Sequence, residues 1–271
     1  MRLMALVAGF LFCGAATGMT SCGDDGSGGA GGDTDSDTDT DSDSDTDTGF
    51  LTEPEAVEAF DESSGGIYKG VLVGSSGHFK VVLDNGEGEL FVYIKFDGEE
   101  ATLYTGDLDA WQPGDAIIGA EFTGTLDGQD VTFTFSVDAD GSNPIVEVSV
   151  PGHEVWVDVV KETSTDLVKC YEGESWTGET LVSVWNMLIS GVSGSGVWVA
   201  PTDLDVVWGT CEFGLDGDTF TDGLSYMSGE GDPIVTFGGA IDGNDVSGTW
   251  EDIVPDGEDH NSGTFAGTRV L

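Results

Sequence analysis

FTGTLDGQDVTFTFSV, residues 122–137, decides the fold class. Phe122 and Leu126 fall on one parity before Asp127-Gly128, and Val131, Phe133, Phe135 and Val137 on one parity after it, with polar residues or glycine between them. Apolar and polar residues that alternate with period two, enriched in β-branched and aromatic side chains, make a strand with one buried face. Asp127-Gly128 supplies the positive φ that a two-residue hairpin turn requires. The stretch therefore reads as strand, tight turn, strand.

Outward from this hairpin the same pattern recurs. Alternation is clear at 79–81, 89–96, 146–150, 155–159 and 206–208, and Asp-Gly or Asn-Gly turns stand at 85–86, 97–98, 140–141, 216–217 and 242–243. A dozen or more short strands joined by hairpins predict an all-β antiparallel meander closed into barrels or sandwiches. The segment FTGTLDGQDVT (122–132) returns as FGGAIDGNDVS (237–247), 115 residues later, with nine of eleven positions identical or conservative. This spacing favours two related β modules, 66–163 and 164–271, over one large β domain of about 220 residues. Before them, Thr52-Glu53-Pro54-Glu55 has the form of a capping box with proline in the first turn. It predicts one short helix within the linker 49–65.

The first 21 residues have the layout of a secretory signal: Arg2, an apolar run from Leu3 to Phe12, then small residues. The run is too short to span a bilayer, which takes about 20 apolar residues. Met19-Thr20-Ser21-Cys22 resembles the lipobox of bacterial lipoproteins. The resemblance implies cleavage before Cys22 and lipidation of its thiol, and the two or three acyl chains would anchor the protein stably. Gly23 in place of the aspartate of a retention signal points to the outer membrane of a Gram-negative cell. From Asp33 to Thr48 aspartate alternates with serine or threonine without one apolar residue, so residues 22–48 read as a lipidated cysteine followed by a disordered, charge-extended tether. In composition this run resembles the serine-aspartate stalks of bacterial surface proteins.

All 52 acidic residues follow Cys22, and 42 of them lie in 49–271 against six bases (Lys69, Lys80, Lys95, Lys161, Lys169 and Arg269). A field of that sign repels phosphate backbones, so nucleic acid is excluded as a partner. It also penalises the compact state unless salt screens it, which reads as adaptation to a saline or cation-rich habitat.

Residues that carry chemistry are few. No G-x-S-x-G, P-loop or H-E-x-x-H occurs, and His78, His153 and His260 are scattered on strands and turns. No catalytic residue is assigned. Cys170 and Cys211, the pair left after export, are expected to form a disulfide, which by loop closure alone would contribute about 4 kcal/mol. Asp138 and Asp140 precede Gly141 like the first half of a calcium loop. The downstream acid is missing, so calcium is the one cofactor weighed and a solvated hairpin tip is the preferred reading. Among the seven tryptophans most fall on core parity, and Trp111, in a Trp-Gln-Pro-Gly loop, is the candidate for an exposed ligand contact. The expectation is a monomeric, envelope-anchored protein with a non-catalytic binding or structural role toward an unknown protein or glycan. A glycan-binding module and a hydrolase with an unrecognised site are the alternatives.

Overall fold

The computed structural model describes residues 50–74, 76–201, 206–254 and 260–271. The signal segment, Cys22 and the tether lie outside the described residues. Phe50–Leu271 forms one compact unit, and it is all-β as expected.

The first sheet contains β1 (Gly66–Val73), β2 (Gly77–Leu83), β3 (Leu90–Phe96), β4 (Glu99–Tyr104), β5 (Ile117–Leu126), β6 (Gln129–Val137), β7 (Ile145–Ser149) and β8 (Trp156–Glu162). It is an antiparallel meander whose last strand returns to pair with the first, in the order β7-β6-β5-β4-β3-β2-β1-β8. β7 and β8 are the two edges of this ladder. The second sheet contains β9 (Val168–Thr177), β10 (Thr180–Ser190), β11 (Ser193–Pro201), β12 (Val206–Gly214), β13 (Thr219–Met227), β14 (Pro233–Asp242), β15 (Asp245–Asp252) and β16 (Ser262–Arg269). Here β9 pairs with both β10 and β16, and the barrel closes. Closure removes every edge, and eight strands enclose a space that side chains either fill or leave wide enough for one small ligand.

The hairpin read first from the sequence is β5–β6, with Leu126 opposite Gln129. Asp127 and Gly128 have φ of 47° and 73°, the left-handed pair that matches the strand twist. The second copy of the motif is the hairpin β14–β15. In the first sheet Phe122, Phe133, Phe135, Phe79 and Ile94 pack with Tyr68 and Leu72 into one core. β1 is buried on both faces: Tyr68 and Leu72 enter that core, while Val71 and Val73 pack against Val168, Cys170, Leu188 and Val197 of the second sheet. This strand is the wall the two sheets share. Asn186, fully buried on β10, strengthens the junction by donating through Nδ2 to the carbonyls of Leu72 and Gly77.

Two expectations change. Instead of a capped helix, the linker holds a single 3-10 turn at Glu58–Phe60, and Val57 at its N-cap makes no side-chain cap bond. Tertiary partners have taken the groups a helix would use. The Glu55 N–H donates to Glu162, the Glu55 carboxylate binds Lys80 and Lys69, and Asn85 bonds both the Glu55 carbonyl and the Val57 N–H.

The disulfide is also absent: Cys170 and Cys211 are free, buried thiols. Register explains why. Cys170 lies opposite Leu188, which lies opposite Ser195 and then Glu212, whereas Cys211 follows Gly196, Met187 and Tyr171. Directly opposed residues share a face, so the two cysteines point to opposite sides of the barrel wall. They are also three strands apart, about 14 Å at the usual strand spacing, and a disulfide needs Cα atoms within about 7 Å. Cys170 faces the first sheet and Cys211 faces the barrel interior.

Candidate ligand-binding cavity

Alternation along β9–β16 turns a set of large side chains into the second barrel. One end is filled. Phe213 and Phe220 have ring centroids 4.7 Å apart, and Phe220 meets Phe237 and Phe265 at 6.0 and 6.1 Å. These rings, with Tyr171 and Ile189, make a packed floor. Toward the other end, where the β9–β10 and β13–β14 hairpins lie, the filling stops. A cavity of about 240 Å³ remains there, walled by Trp185, Trp198, Trp250, Met187, Phe237 and Phe265. Its volume equals that of roughly eight waters in the liquid. Ser183 and Asp252 are part of the rim, and Asp252 accepts a hydrogen bond from Asn261 at 2.8 Å.

The three tryptophans line the wall for a local reason. Trp185 faces Gly173 on β9, Trp198 faces Gly209 on β12, and Trp250 faces Gly263 on β16, each as a direct cross-strand pair. A Cβ at any of these glycines would overlap the facing indole. The glycines thus let each ring lie close to the neighbouring backbone rather than cross the barrel, and the centre stays open. All three indole N–H groups are buried with no hydrogen-bond partner among the described residues. Trp is a donor only, and a buried donor left unmet costs about 1–3 kcal/mol.

Among the described residues, the ionisable side chains of the lining are Cys211 and Asp252. Burial, with Asp158 and Glu212 nearby, pushes the Cys211 thiol far above its usual range and keeps it from being a nucleophile at neutral pH. Among the described residues no histidine lies on the wall. His78 is buried at the junction, with Nδ1 3.0 Å from Glu172; His153 packs edge-on to Phe96; His260 is exposed near Glu251.

The residues singled out by sequence stand elsewhere. Trp111 packs against the first core, and its N–H donates to the Asp115 carbonyl at 3.0 Å, so its polar edge is already engaged. Asp140 accepts from the Ser142 N–H and hydroxyl, which hold its carboxyl below the usual range, and Asp138 accepts from Asn143. Both carboxylates are used within their own turn, and no group of three or more His, Cys, Asp or Glu gathers to hold an ion among the described residues. A second concavity lies beside the open edges of the first sheet, where Trp156 on β8 stacks on Trp208 of β12 at 5.3 Å.

Sequence reading placed Trp185, Trp198 and Trp250 in a core because the parity of a core residue and that of a cavity wall are the same. The signal was the opposition of each indole to a glycine, which needs the strand register. No protein-family model, curated protein or solved structure matches the chain.

Proposed function

We propose that this chain is an exported, lipid-anchored binding protein that carries a small molecule in the mouth of its second barrel. The observation that carries the reading is the half-filled barrel: a packed phenylalanine floor below a cavity walled by three tryptophans. Ligand sites are concave, mostly apolar and fitted with a few polar groups, and a closed eight-stranded barrel is wide enough for one small ligand. A wall whose ionisable groups, among the described residues, are a suppressed thiol and a carboxylate favours holding a molecule over converting it. Cys22 and the acidic tether supply the anchor and the spacer, which present the barrel away from the outer membrane.

Two experiments test this. Cells expressing the protein are labelled with radioactive palmitate; label should enter the parent and be lost in Cys22→Ala, and an unlabelled parent would remove the anchor. The purified chain is screened against neutral one- and two-ring compounds by tryptophan fluorescence. Saturable changes should disappear in Ala200→Trp, which fills the cavity from a wall position. Equal responses in parent and variant would move the site elsewhere.

A further inference from the structure

We infer that the cavity takes an uncharged, apolar compound of two fused rings, and that Phe220 sets this size limit from behind the inner end of the cavity. This rests on the cavity being the binding site; it names the ligand class and the side chain that fixes its length. Most of the wall is indole, phenyl and thioether, from Trp185, Trp198, Trp250, Phe237, Phe265 and Met187. Such a surface gains from contact with apolar groups and offers a polar solute little in exchange for its water. Among the described residues no lysine or arginine lines the cavity, and residues 49–271 carry 42 acids against six bases. An anion would therefore be repelled and left unpaired. An ammonium ion would trade its hydration for the Asp252 carboxylate, which already accepts from Asn261 at 2.8 Å.

Volume gives the size. An apolar cavity of about 150 Å³ in a protein core holds benzene. The cavity in the barrel, at about 240 Å³, is half as large again, which is room for a second fused ring and not a third. Its inner end is fixed by ring packing. Phe237 and Phe265 belong both to the cavity wall and to the phenylalanine floor. Phe220, 2% exposed, has its ring centroid 6.0 and 6.1 Å from theirs and 4.7 Å from that of Phe213. Across the β13–β14 pair Phe220 faces Gly239. A Cβ there would lie 3.0 Å from the ring tips of both Phe220 and Phe265, so the glycine leaves these two rings room to close the barrel at this level. Removing the Phe220 ring would extend the cavity inward by about one ring.

The test uses benzene, naphthalene and phenanthrene, with one, two and three fused rings, and the ions naphthoate and naphthylmethylammonium. Binding to the mature protein is measured by equilibrium dialysis. In the parent, affinity should rise about tenfold from benzene to naphthalene and gain nothing further with phenanthrene, whose third ring stays in water. Phe220→Ala should bind phenanthrene about tenfold more tightly than the parent does and leave naphthalene unchanged. Continued gain with phenanthrene in the parent, or no gain in Phe220→Ala, overturns the limit at Phe220 and leaves the cavity standing as a binding site. Should Phe220→Ala fail to fold by circular dichroism, nuclear Overhauser contacts of naphthalene in the parent carry the test. They are expected at the ring protons of Phe237 and Phe265, and their absence overturns the limit. Tighter binding of either ion than of naphthalene overturns the uncharged class. Failure of all five probes to bind overturns the binding role itself.

Discussion

Lys69→Met removes the charge from the centre of the junction between the linker, the first sheet and the barrel. Lys69 is 1% exposed, and its Nζ lies 2.6 Å from Glu162, itself 0% exposed, and 3.3 Å from Glu55. Glu162 also accepts from the Glu55 N–H on one oxygen and from the Val168 N–H on the other. One carboxylate thus ties together the linker, β1 and the first residue of the barrel. Without Lys69 that carboxylate keeps two backbone donors but loses its cation, and breaking a buried pair in this way costs about 3–5 kcal/mol. For a chain of this size the melting temperature should drop by roughly 10 °C. Glu162→Gln alone keeps one oxygen acceptor and leaves Lys69 with Glu55, so its cost should be smaller. In the double variant Lys69→Met/Glu162→Gln no charge is stranded, and the combined cost should fall short of the sum of the singles by about 1–3 kcal/mol. Urea unfolding of all four proteins at neutral pH, followed by tryptophan emission, measures these differences. A loss below 1 kcal/mol for Lys69→Met, or strict additivity, would refute the reasoning, because it would mean that water reaches the pair.

Further outcomes follow from the same structure. Thiol titration of the mature lipidated protein should find no reactive cysteine in the native state and two per chain in guanidinium; none in both states would restore the disulfide. Asp158, on the face of β8 turned to the barrel, has its carboxyl pushed above the usual range by burial, against hydrogen bonds from Ser195 and the Val159 N–H. A raised folded value means that the native state holds the proton more tightly than the unfolded one. Stability is therefore lost as pH rises from about 4 through that value and stays lost above it. Asp158→Asn should accordingly be more stable than the parent at pH 7, with the gain vanishing toward pH 4 in pH-resolved urea melts; a gain that persists there would exclude desolvation as its cause. Screening of the acidic surface should raise the urea midpoint on going from 0.05 to 1 M sodium chloride, and an unchanged midpoint would end the idea of salt adaptation.

The strands, their turns and the all-β class were legible because they depend on parity and on Asp-Gly pairs that neighbouring residues decide. Phe122 to Val137 forms the hairpin its sequence describes. The short helix of the linker forms as a 3-10 turn at Glu58–Phe60 and not at the capping box of Thr52 and Glu55, because that box is a local signal and the Glu55 carboxylate has stronger partners in Lys69 and Lys80, farther along the chain. The cysteine pair failed for the reverse reason. Export context argues for pairing, but only register reveals that Cys170 and Cys211 stand on opposite faces of one wall. Trp111 drew attention because its loop is polar, yet the Asp115 carbonyl within that loop satisfies its N–H. The cavity was not legible at all. It depends on Trp185, Trp198 and Trp250 each meeting a glycine across a strand pair, a coincidence that exists only after the barrel closes.

The most direct test of a ligand site in the second barrel is the set of intermolecular nuclear Overhauser contacts made by a bound two-ring compound from the fluorescence screen. The account expects contacts from the probe to the ring protons of Trp185, Trp198 and Trp250 and to the Met187 methyl, all lost in Ala200→Trp. Contacts confined to Trp156 and Trp208 beside the open edge of the first sheet, or contacts that survive Ala200→Trp, would contradict it.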